Sequence, residues 1–542
     1  IIEDSQSGLM YYVSWGSGFY SYNPISKETI KHELRNNKQS KTLVNSVHYL
    51  TQDKNRNIWI GSWGGGVYRF NPSTKKATHF DLHSPQTKGS PELYNDVLYI
   101  FQDQLGILWI GTNGGGVCKI DENTHQFGLS AFNNPKKSLP NAPIWSIFKD
   151  KNEHLWVGIK GNNSIYYSED DNSFNKLELP KIASNNLRAK KNGIRVIYQD
   201  LKGALWMGGN YSLFEIQKTK NNFKVNPLNL KINNNSNNPF SEKTTTLYQT
   251  KDSLFWVGTQ QRGLLKSVEK GTPKNQSFER HLEQERISAF LEDYTGKIWV
   301  GTYRGIQIYQ PNTNSFIRYH KTNNKTKTLS SDIIICLYED SKKNIWIGTP
   351  NGLNQVIIGE DNTLTFKSYQ VKDGLPNNYI HSILEDDNHN LWLSTNKGIS
   401  QFNVKEKSFY NYDVNDGLQS NSFMEGAAYK DQNGKLFFGG IYGLNNFHPN
   451  SIKKNVLAPV VLTGLKISGQ TIHPNQHYNN RHILKNAIEY TKEITLTHKE
   501  NIFSIEYAAL DLSSKSNSYK FKMEGLDNEW IHTNYKNRRA KF

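Results

Sequence analysis

One phrase recurs from end to end of the chain, and its clearest copy is DQLGILWIGTNGGGVCKID at residues 103–121. An acidic residue is followed six positions later by a tryptophan in a short apolar strand. Gly-Thr, a glycine turn and a second strand come next. Ten copies align at Tyr11, Trp59, Trp109, Trp156, Trp206, Trp256, Trp299, Trp346, Trp392 and Phe437. The spacings lie between 43 and 50 residues, a period that is typical of radially repeated sheets.

Residues 332–370 show what one repeat folds into. The segments IIICLYED, NIWIGT, LNQVII and LTFKSYQ have strand-like patterns, and short polar turns separate them. Four antiparallel strands joined in this way form one blade of a β-propeller. Because a single blade cannot bury both of its faces, the sequence predicts blades stacked around an axis.

The phrase itself is predicted to be scaffold. The acidic residue opens a turn and can accept backbone N–H groups, the tryptophan fills the space between blades, and the glycines permit positive φ. The acidic positions are Asp53, Asp103, Asp150, Asp200, Asp293, Asp340, Asp386 and Asp431, with Thr250 in the remaining strong copy. Repeated carboxylates of this kind are interpreted as copies of one turn rather than as metal or catalytic sites.

Ten repeats exceed the four to eight blades of ordinary propellers, so the sequence favours two rings. We predict an all-β protein in which residues 1–121 are about the last three blades of a first, truncated propeller. Residues 122–449 form a second, seven-bladed propeller. A linker at 450–457 then leads to a small β-sandwich at 458–542, which is expected to be incomplete at its C-terminal end.

Composition narrows the class further. The net charge is +16, but the basic residues are scattered apart from one compact cluster at Arg538, Arg539 and Lys541, so no nucleic-acid motif is indicated. Cys118 and Cys336 lie far apart in strand-like runs and are predicted to be free buried thiols. No metal-ligand spacing or cofactor motif is found, so neither is predicted.

The whole combination resembles a known family. Residues 287–309, ISAFLEDYTGKIWVGTYRGIQIY, resemble the regulator-propeller repeat of Bacteroidetes hybrid two-component sensors. The segment GKLFFGGIYGLNNFHP followed by APVVLTGLKI resembles that family's exit from its second propeller. NIFSIEYAALDLSSKSNSYKFKMEGLDNEW resembles its triple-tyrosine domain, with Tyr519 and Trp530 at the expected places and Phe542 where a later tyrosine is expected.

The resemblance implies a periplasmic region of an inner-membrane protein, with two seven-bladed propellers and an immunoglobulin-like sandwich. A transmembrane helix and a histidine kinase would follow, and neither is found in this sequence. It further implies an oligosaccharide ligand from polysaccharide breakdown, control of polysaccharide-utilisation genes, and a homodimer through the sandwich. The basic balance favours an acidic or sulfated ligand. No catalytic residue is predicted in this chain.

Ligand contacts are predicted on one rim of each ring, where the turn between the second and third strands lies beside the start of the inner strand. Aromatic and arginine side chains in these variable positions suit a sugar acid, because rings stack on sugar faces and guanidinium groups pair with carboxylates. The candidates are Trp145, Arg195, Arg262, Tyr303, Arg304, His381 and Tyr442, with Trp63 in the truncated ring.

Two other functions are left open. Some propellers are lyases or glycoside hydrolases, which need an acid and a base at the channel, whereas Glu425 is the lone acid at the inner positions here. The third reading is a protein-interaction scaffold.

Overall fold

The computed structural model describes most of the chain. The described residues are 1–4, 6–34, 46–80, 82, 95–103, 106–120, 127–130, 139–140, 142–161, 163–171, 173–180, 193–210, 213–219, 222–228, 230–232, 242–274, 276–322, 328–361, 363–452, 459–509, 518–534 and 536–542. Regular structure in these residues is β-strand, apart from short 3-10 helices. These are Val371–Asp373, Val414–Asp416, Pro449–Ser451, Ile488–Tyr490 and His498–Glu500. None of the described helices has the length and hydropathy that crossing a membrane requires.

The chain divides into two compact units, one formed by Ile1–Asn123 with Lys454–Phe542 and the other by Thr124–Lys453. Most of the predicted linker at 450–457 lies outside the described residues.

The N-terminal part of the first unit contains three antiparallel sheets among its described residues, with the orders β1-β2-β3-β4, β5-β6-β7-β8 and β11-β10-β9. The strands are β1 (Ile2–Glu3), β2 (Met10–Ser14), β3 (Gly18–Tyr22), β4 (Thr29–His32), β5 (Val47–Gln52), β6 (Ile58–Ser62), β7 (Val67–Asn71), β8 (Lys76–Phe80), β9 (Val97–Gln102), β10 (Leu108–Thr112) and β11 (Gly116–Ile120).

The second unit contains seven sheets among its described residues, named here blades 1 to 7. Blade 1 contains β13 (Ile144–Lys149), β14 (Leu155–Ile159), β15 (Ser164–Ser168) and β16 (Asn175–Glu178). Blade 2 contains β17 (Ile194–Gln199), β18 (Leu205–Gly209), β19 (Leu213–Lys218) and β20 (Phe223–Leu228). Blade 3 contains β21 (Lys231–Ile232), β22 (Thr244–Gln249), β23 (Phe255–Thr259), β24 (Leu264–Ser267) and β25 (Ser277–His281).

The remaining four blades follow the same plan. Blade 4 contains β26 (Ile287–Glu292), β27 (Ile298–Thr302), β28 (Gly305–Gln310) and β29 (Ser315–Tyr319). Blade 5 contains β30 (Cys336–Glu339), β31 (Ile345–Thr349), β32 (Gly352–Ile358) and β33 (Leu364–Tyr369). Blade 6 contains β34 (Ile380–Glu385), β35 (Asn390–Thr395), β36 (Gly398–Asn403) and β37 (Ser408–Tyr412). Blade 7 combines β38 (Phe423–Lys430), β39 (Leu436–Gly440) and β40 (Gly443–Phe447) with the early strand β12 (Gly128–Ser130).

Blade 7 closes the ring because its strands come from both ends of the unit. Gly128 of β12 pairs with Asn446 of β40, and Ser130 pairs with Leu444. The inner strands contact one another in the order β13, β17, β22, β26, β30, β34, β38, and β38 in turn contacts β13. The all-β propeller class predicted from the repeat is confirmed.

The core of the second unit is a circle of apolar clusters between neighbouring blades. One cluster joins Trp156 of blade 1 to Met207 of blade 2, and another joins Phe437 of blade 7 to Ile144 of blade 1. The other joints are built alike. Burial of these large side chains supplies most of the apolar free energy of the fold.

The repeated aspartate and tryptophan form one hydrogen-bonded unit. Asp200 Oδ2 accepts the indole N–H of Trp206 at 2.9 Å, while Oδ1 accepts the backbone N–H groups of Lys202 and Ala204. The same indole bond is found for Asp53, Asp103, Asp150, Asp293, Asp340 and Asp386. The repeated aspartate therefore closes a turn and fixes the position of a large buried indole, which explains why the phrase recurs.

Adjacent blades are also joined at the rim that carries these turns. The last residue of an inner strand is Gln or Glu, and its side chain accepts the backbone N–H that follows the aspartate of the preceding blade, or Thr250 in blade 3. Within the ring the acceptors are Gln199, Gln249, Glu292, Glu339 and Glu385. Lysine ion pairs join blade 7 to its neighbours instead: Lys430 with Asp387 at 2.8 Å, and Lys149 with Asp431 at 3.3 Å.

The C-terminal part of the first unit contains β41 (Val460–Ile467), β42 (Gln470–Ile472), β43 (His477–Tyr478), β44 (Arg481–His482), β45 (Phe503–Ala509), β46 (Ser518–Phe521), β47 (Ile531–Asn534) and β48 (Arg539–Lys541). The first, second, fifth and eighth of these strands form a sheet in the order β42-β41-β45-β48, and two hairpins accompany it. Tyr507 and Tyr519 pack with ring centroids 5.3 Å apart. The immunoglobulin-like arrangement stays a prediction.

Candidate functional site

In blades 1, 3 and 4, the rim opposite the aspartate turns brings two variable positions together. The residue in the turn between the second and third strands donates its backbone N–H to the residue just before the inner strand. Examples are Lys160 to Pro143, Gln260 to Lys243 and Tyr303 to Arg286, at 2.9, 2.9 and 3.3 Å. Side chains from both positions can therefore meet at the mouth of the central channel.

A β-bulge places a third side chain at this rim. In blade 1, Ile144 pairs with Ile159 and Ser146 with Gly158, so one extra residue stands between the two pairs. A bulge bends its strand and redirects a side chain. The extra residues are Trp145, Arg195, Thr245, Ser288 and His381 in the ring, and His48 in the first unit.

Blades 1 and 2 contribute a stacked cation. The guanidinium carbon of Arg195 lies 3.9 Å from the centroid of the Trp145 ring, and Arg195 Nε–H donates to Asn210 Oδ1 at 3.0 Å. The two bulges bring these residues into contact. The pair offers an aromatic surface and the remaining guanidinium N–H groups in a half-buried position.

Blades 4 and 7 are linked by an ion pair. Arg286 Nη2 lies 3.2 Å from Glu425 Oε2, and the guanidinium carbon stacks 4.1 Å from the centroid of the Tyr303 ring. Tyr379 of blade 6 donates its hydroxyl to Glu425 Oε1 at 2.7 Å. Because blades 5 and 6 separate blade 4 from blade 7, these contacts span the channel mouth.

The position of Glu425 follows from a wide bulge in β38. Phe423 pairs with Gly440 and Ala428 with Phe438, so residues 424–427 stand opposite Gly439 alone. Gly426 has φ of +68°, which a glycine adopts readily. The extra backbone in the inner strand carries Glu425 to the group from blades 4 and 6.

His381 lies buried beside Tyr379. The two rings are 4.6 Å apart, and His381 Nε2 lies 2.8 Å from Asn396 Oδ1. Since the amide oxygen only accepts, neutral His381 carries its proton on Nε2, and Nδ1 is left as an acceptor. Nδ1 is buried with no partner among the described residues.

Burial and the paired charges shift the titration of this group. Burial lowers the pKa of the Arg195 guanidinium, and the positive charge of Arg286 lowers it further. Burial raises the pKa of the Tyr303 hydroxyl, and the carboxylate of Glu425 raises it further. Burial lowers the pKa of His381, which favours the neutral imidazole.

We call the seven residues Trp145, Arg195, Arg286, Tyr303, Tyr379, His381 and Glu425 the mouth cluster. Four of the predicted candidates, Trp145, Arg195, Tyr303 and His381, belong to it. The side chains of Arg262, Arg304 and Tyr442 are exposed, and none of the described contacts joins them to the cluster. They remain candidates on the outer part of the rim.

Trp63 lies in the first unit within a separate aromatic group. Its ring centroid is 6.1 Å from that of Trp15 and 6.2 Å from that of His48, and both tryptophans are exposed. His48 occupies the same bulge position as His381, and its Nδ1 is also buried without a partner among the described residues. The repeat therefore presents comparable aromatic and imidazole groups in both units.

Sequence reasoning missed Arg286 and Tyr379 as ligand candidates. Each stands one residue before its inner strand and two residues before the bulge residue. That position was a recognisable signal, because it falls at the start of the inner strand on the rim already selected. Which of its occupants meet across the channel depends on tertiary structure.

The mouth cluster does not contain the carboxylate pair of a glycoside hydrolase. Glu425 is the one carboxylate of the cluster, and its two oxygens contact Arg286 and the Tyr379 hydroxyl. Glycoside hydrolysis typically uses two carboxylates. Among the described residues no group of three or more His, Cys, Asp or Glu side chains could hold a metal ion. Aromatic faces and guanidinium groups at one rim can instead recognise a polar organic ligand.

Cys118 and Cys336 are free thiols, and both residues are half-buried. Burial raises the pKa of Cys336 to about 12, so it is protonated at neutral pH. Cys336 packs against the apolar cluster between blades 5 and 6.

Comparison with known proteins places these features in a wider group. Five segments match the family of two component regulator propeller repeats, at residues 91–114, 138–161, 281–304, 328–351 and 374–397. Each segment contains the inner strand of a repeat and the following strand, which carries the tryptophan. Histidine kinase P4 of Formosa agariphila is 28% identical over 374 residues, which cover 58% of this chain and 26% of that protein. The chain thus spans about a quarter of the length of this relative.

Solved structures are also similar to this chain. The extracellular domain of a hybrid two component system from B. thetaiotaomicron is 26% identical, with a TM-score of 0.58 and coverage of 99% of this chain and 73% of that one. A second extracellular domain from the same organism is 20% identical, with a TM-score of 0.46 and coverage of 100% and 70%.

Proposed function

We propose that this chain, which carries two component regulator propeller repeats and is similar to the extracellular domain of a hybrid two component system, is the periplasmic ligand-binding region of an inner-membrane sensor. Its ligand is an oligosaccharide released from a polysaccharide. The receptor acts as a homodimer through the C-terminal sandwich and regulates a histidine kinase that controls polysaccharide-utilisation genes.

The observation that carries the proposal is the mouth cluster. Rings of Trp145 and Tyr303 lie at the same rim as Arg195 and Arg286, and the guanidinium groups stack on them. Sugars are bound by aromatic surfaces and by planar, directional hydrogen-bond donors. A rigid ring holds these groups in place before a ligand arrives, which reduces the entropy lost on binding.

Signalling requires that the ligand favour one receptor arrangement over another. A ligand shifts such an equilibrium only by its differential affinity for the two states. Contacts to several blades at once supply that difference, because Glu425, Arg286 and Tyr379 come from three blades and already interact across the channel.

The proposal is tested by isothermal titration of the chain with a panel of neutral, uronate-containing and sulfated oligosaccharides. We expect at least one to bind, and we expect Trp145→Ala to weaken its binding about tenfold or more through loss of a stacking surface. Lys342→Ala is the matched control, since Lys342 is exposed in an aspartate turn on the opposite rim. Glycan binding that Trp145→Ala leaves unchanged would contradict the mouth site, and cleavage of a bound glycan would contradict the non-enzymatic role.

A further inference from the structure

The mouth cluster contains more cationic than anionic groups. Arg195 and Arg286 are close enough for the charge of Arg286 to affect Arg195, while Glu425 is the cluster's carboxylate. Glu425 pairs with Arg286, and no described carboxylate forms an ion pair with Arg195. A negative charge added to this mouth would therefore be attracted to it.

Several buried polar atoms at this rim also lack a hydrogen-bond partner among the described residues. Arg286 Nε and His381 Nδ1 belong to the cluster, and Thr245 Oγ1 and Gln260 Oε1 occupy the bulge and turn positions of blade 3. Buried polar groups in folded proteins are nearly always hydrogen-bonded. The four atoms belong to blades 3, 4 and 6 and leave hydrogen-bonding capacity unused at this rim.

Glu425 shows which chemical group fits the cationic side of the mouth. One carboxylate oxygen faces Arg286 Nη2 and the other accepts from the Tyr379 hydroxyl. The Glu425 side chain is 38% exposed and that of Arg286 is 27% exposed, so solvent and solutes can reach the pair. An ion pair this exposed contributes little free energy and can be exchanged for another at small cost.

We propose that Glu425 is an internal stand-in for the ligand's own carboxylate. A uronate-bearing sugar displaces Glu425 from Arg286, and its carboxylate takes over the bonds to Arg286 and the Tyr379 hydroxyl. This deepens the proposed function, on which it rests, by naming the acidic group that the site selects. Neutral sugars cannot make this exchange, so the stand-in also acts as a specificity filter.

The displacement acts on blade 7 in particular. Glu425 lies in residues 424–427, the segment of β38 that is bulged away from its partner strand. Freed from Arg286 and Tyr379, this segment loses the side-chain bonds that Glu425 makes to blades 4 and 6. The chain continues from blade 7 through β40 to β41, so the segment that responds to the ligand belongs to the last blade before the C-terminal strands.

The test replaces the stand-in without changing its shape. Glu425→Gln keeps the size and the ability to accept from Tyr379 but removes the competing charge. We expect affinity for glucuronate and for oligogalacturonate to rise about tenfold, because the acid no longer competes with an internal carboxylate for Arg286. Affinity for the methyl-esterified, neutral oligogalacturonate should change less than twofold.

Glu506→Gln is the matched control, because Glu506 also forms a part-exposed pair with an arginine, at 2.6 Å from Arg539 Nη2 in the C-terminal strands. It should leave uronate affinity unchanged. Inorganic sulfate and a sulfated oligosaccharide form the second arm. A gain for the sulfated probes alone would overturn the assignment of a carboxylate, and equal affinity of Glu425→Gln and wild type for every acidic probe would overturn the stand-in itself.

The outcomes separate this inference from the proposed function. If neutral oligosaccharides bind at the mouth and Glu425→Gln has no effect on acidic ones, glycan binding stands and the stand-in is wrong. If no oligosaccharide binds while Glu425→Gln gains affinity for glucuronate, the exchangeable carboxylate site stands and glycan sensing is wrong.

Discussion

Thr250 marks the one strong copy of the repeat in which the aspartate is replaced, and the consequence is visible in blade 3. The indole N–H of Trp256 is buried with no hydrogen-bond partner among the described residues. The single hydroxyl proton of Thr250 instead has two acceptors within hydrogen-bond distance, Leu254 O and Asp252 Oδ1. The carboxylate of this turn is thus at Asp252, two residues after the usual position, and it does not accept the indole N–H of Trp256.

Restoring the repeat at this turn should stabilise the ring. We expect Thr250→Asp combined with Asp252→Asn to raise the free energy of unfolding by about 1–2 kcal/mol, because an unsatisfied buried donor gains an acceptor. The second change is needed because two adjacent carboxylates would repel each other. Urea unfolding followed by tryptophan fluorescence measures the effect.

The reverse change in blade 2 provides the control. Asp200→Thr removes the acceptor for the Trp206 indole and for two backbone N–H groups, and should destabilise by at least as much. A neutral result in both blades would show that the indole bond is not a source of stability.

His381 gives the mouth a dependence on pH. Burial lowers its pKa in the folded state below the ordinary 6.5, so the unfolded chain takes up a proton first as the pH falls. Its contribution to stability is therefore intact above about pH 6.5 and decreases below that value. Because burial also lowers the pKa of His32 and His281, the informative quantity is wild type minus His381→Gln. We expect the stability difference between wild type and this variant to shift in favour of the variant between pH 7 and 5, and a constant difference would contradict the assignment.

The sequence predicted individual residues well where the repeat constrains them. Aspartate, tryptophan and glycine positions follow from spacing, and four mouth residues follow from their place on the rim. Neither the indole hydrogen bond nor the partner of Arg286 could be predicted. The first depends on side-chain direction inside a turn, and the second joins residues 139 positions apart across a closed ring.

At the scale of strands and turns, hydrophobic alternation predicted the elements of a blade. Residues 332–370 contain β30, β31, β32 and β33 as expected. The bulges were not predicted, because one extra residue leaves the apolar pattern almost unchanged while redirecting a side chain. They matter for the site, since Arg195, His381 and Glu425 all lie in bulges.

Lys149 contributes to ring closure through an ion pair between blades 1 and 7. It lies at the end of β13, where blades 2 to 6 have Gln or Glu, and its ammonium contacts Asp431 at 3.3 Å and Asp171 at 3.4 Å. Although burial lowers its pKa, the carboxylates of Asp171, Glu153 and Asp431 raise the pKa of Lys149 above its ordinary value overall. An ion pair thus joins blades 7 and 1, whereas at the joints among blades 1 to 6 a backbone N–H donates to Gln or Glu.

Lys149→Met should destabilise the ring by about 3 kcal/mol, because Asp431 is almost fully buried and loses its cation. Lys176→Met is the matched control, since Lys176 pairs with Glu178 at the surface and should change stability by about 1 kcal/mol or less. Equal effects in urea unfolding would show that the buried pair is not specific to closure.

At the scale of the whole molecule, the two compact units have separate apolar cores. Clusters around Phe19, Val97 and Leu465 belong to the first unit, whereas the second has a continuous circle of clusters between its blades. An open array of repeats can unfold from its ends. A ring closed by β12 against β40 has no terminal blade, so loss of any joint weakens every other one.

We therefore expect calorimetry of the chain to show one cooperative transition for Thr124–Lys453 and a separate transition for the first unit. Lys149→Met and the paired change at Thr250 and Asp252 lie at different blades, yet both should move the same transition, in opposite directions. A ligand at the mouth should raise that transition and leave the other in place, since binding stabilises only the unit that holds it. If the blades unfold independently, calorimetry will show several transitions for the second unit, each sensitive to one substitution. In that case a change in the contacts of Glu425 would not affect the stability of distant blades.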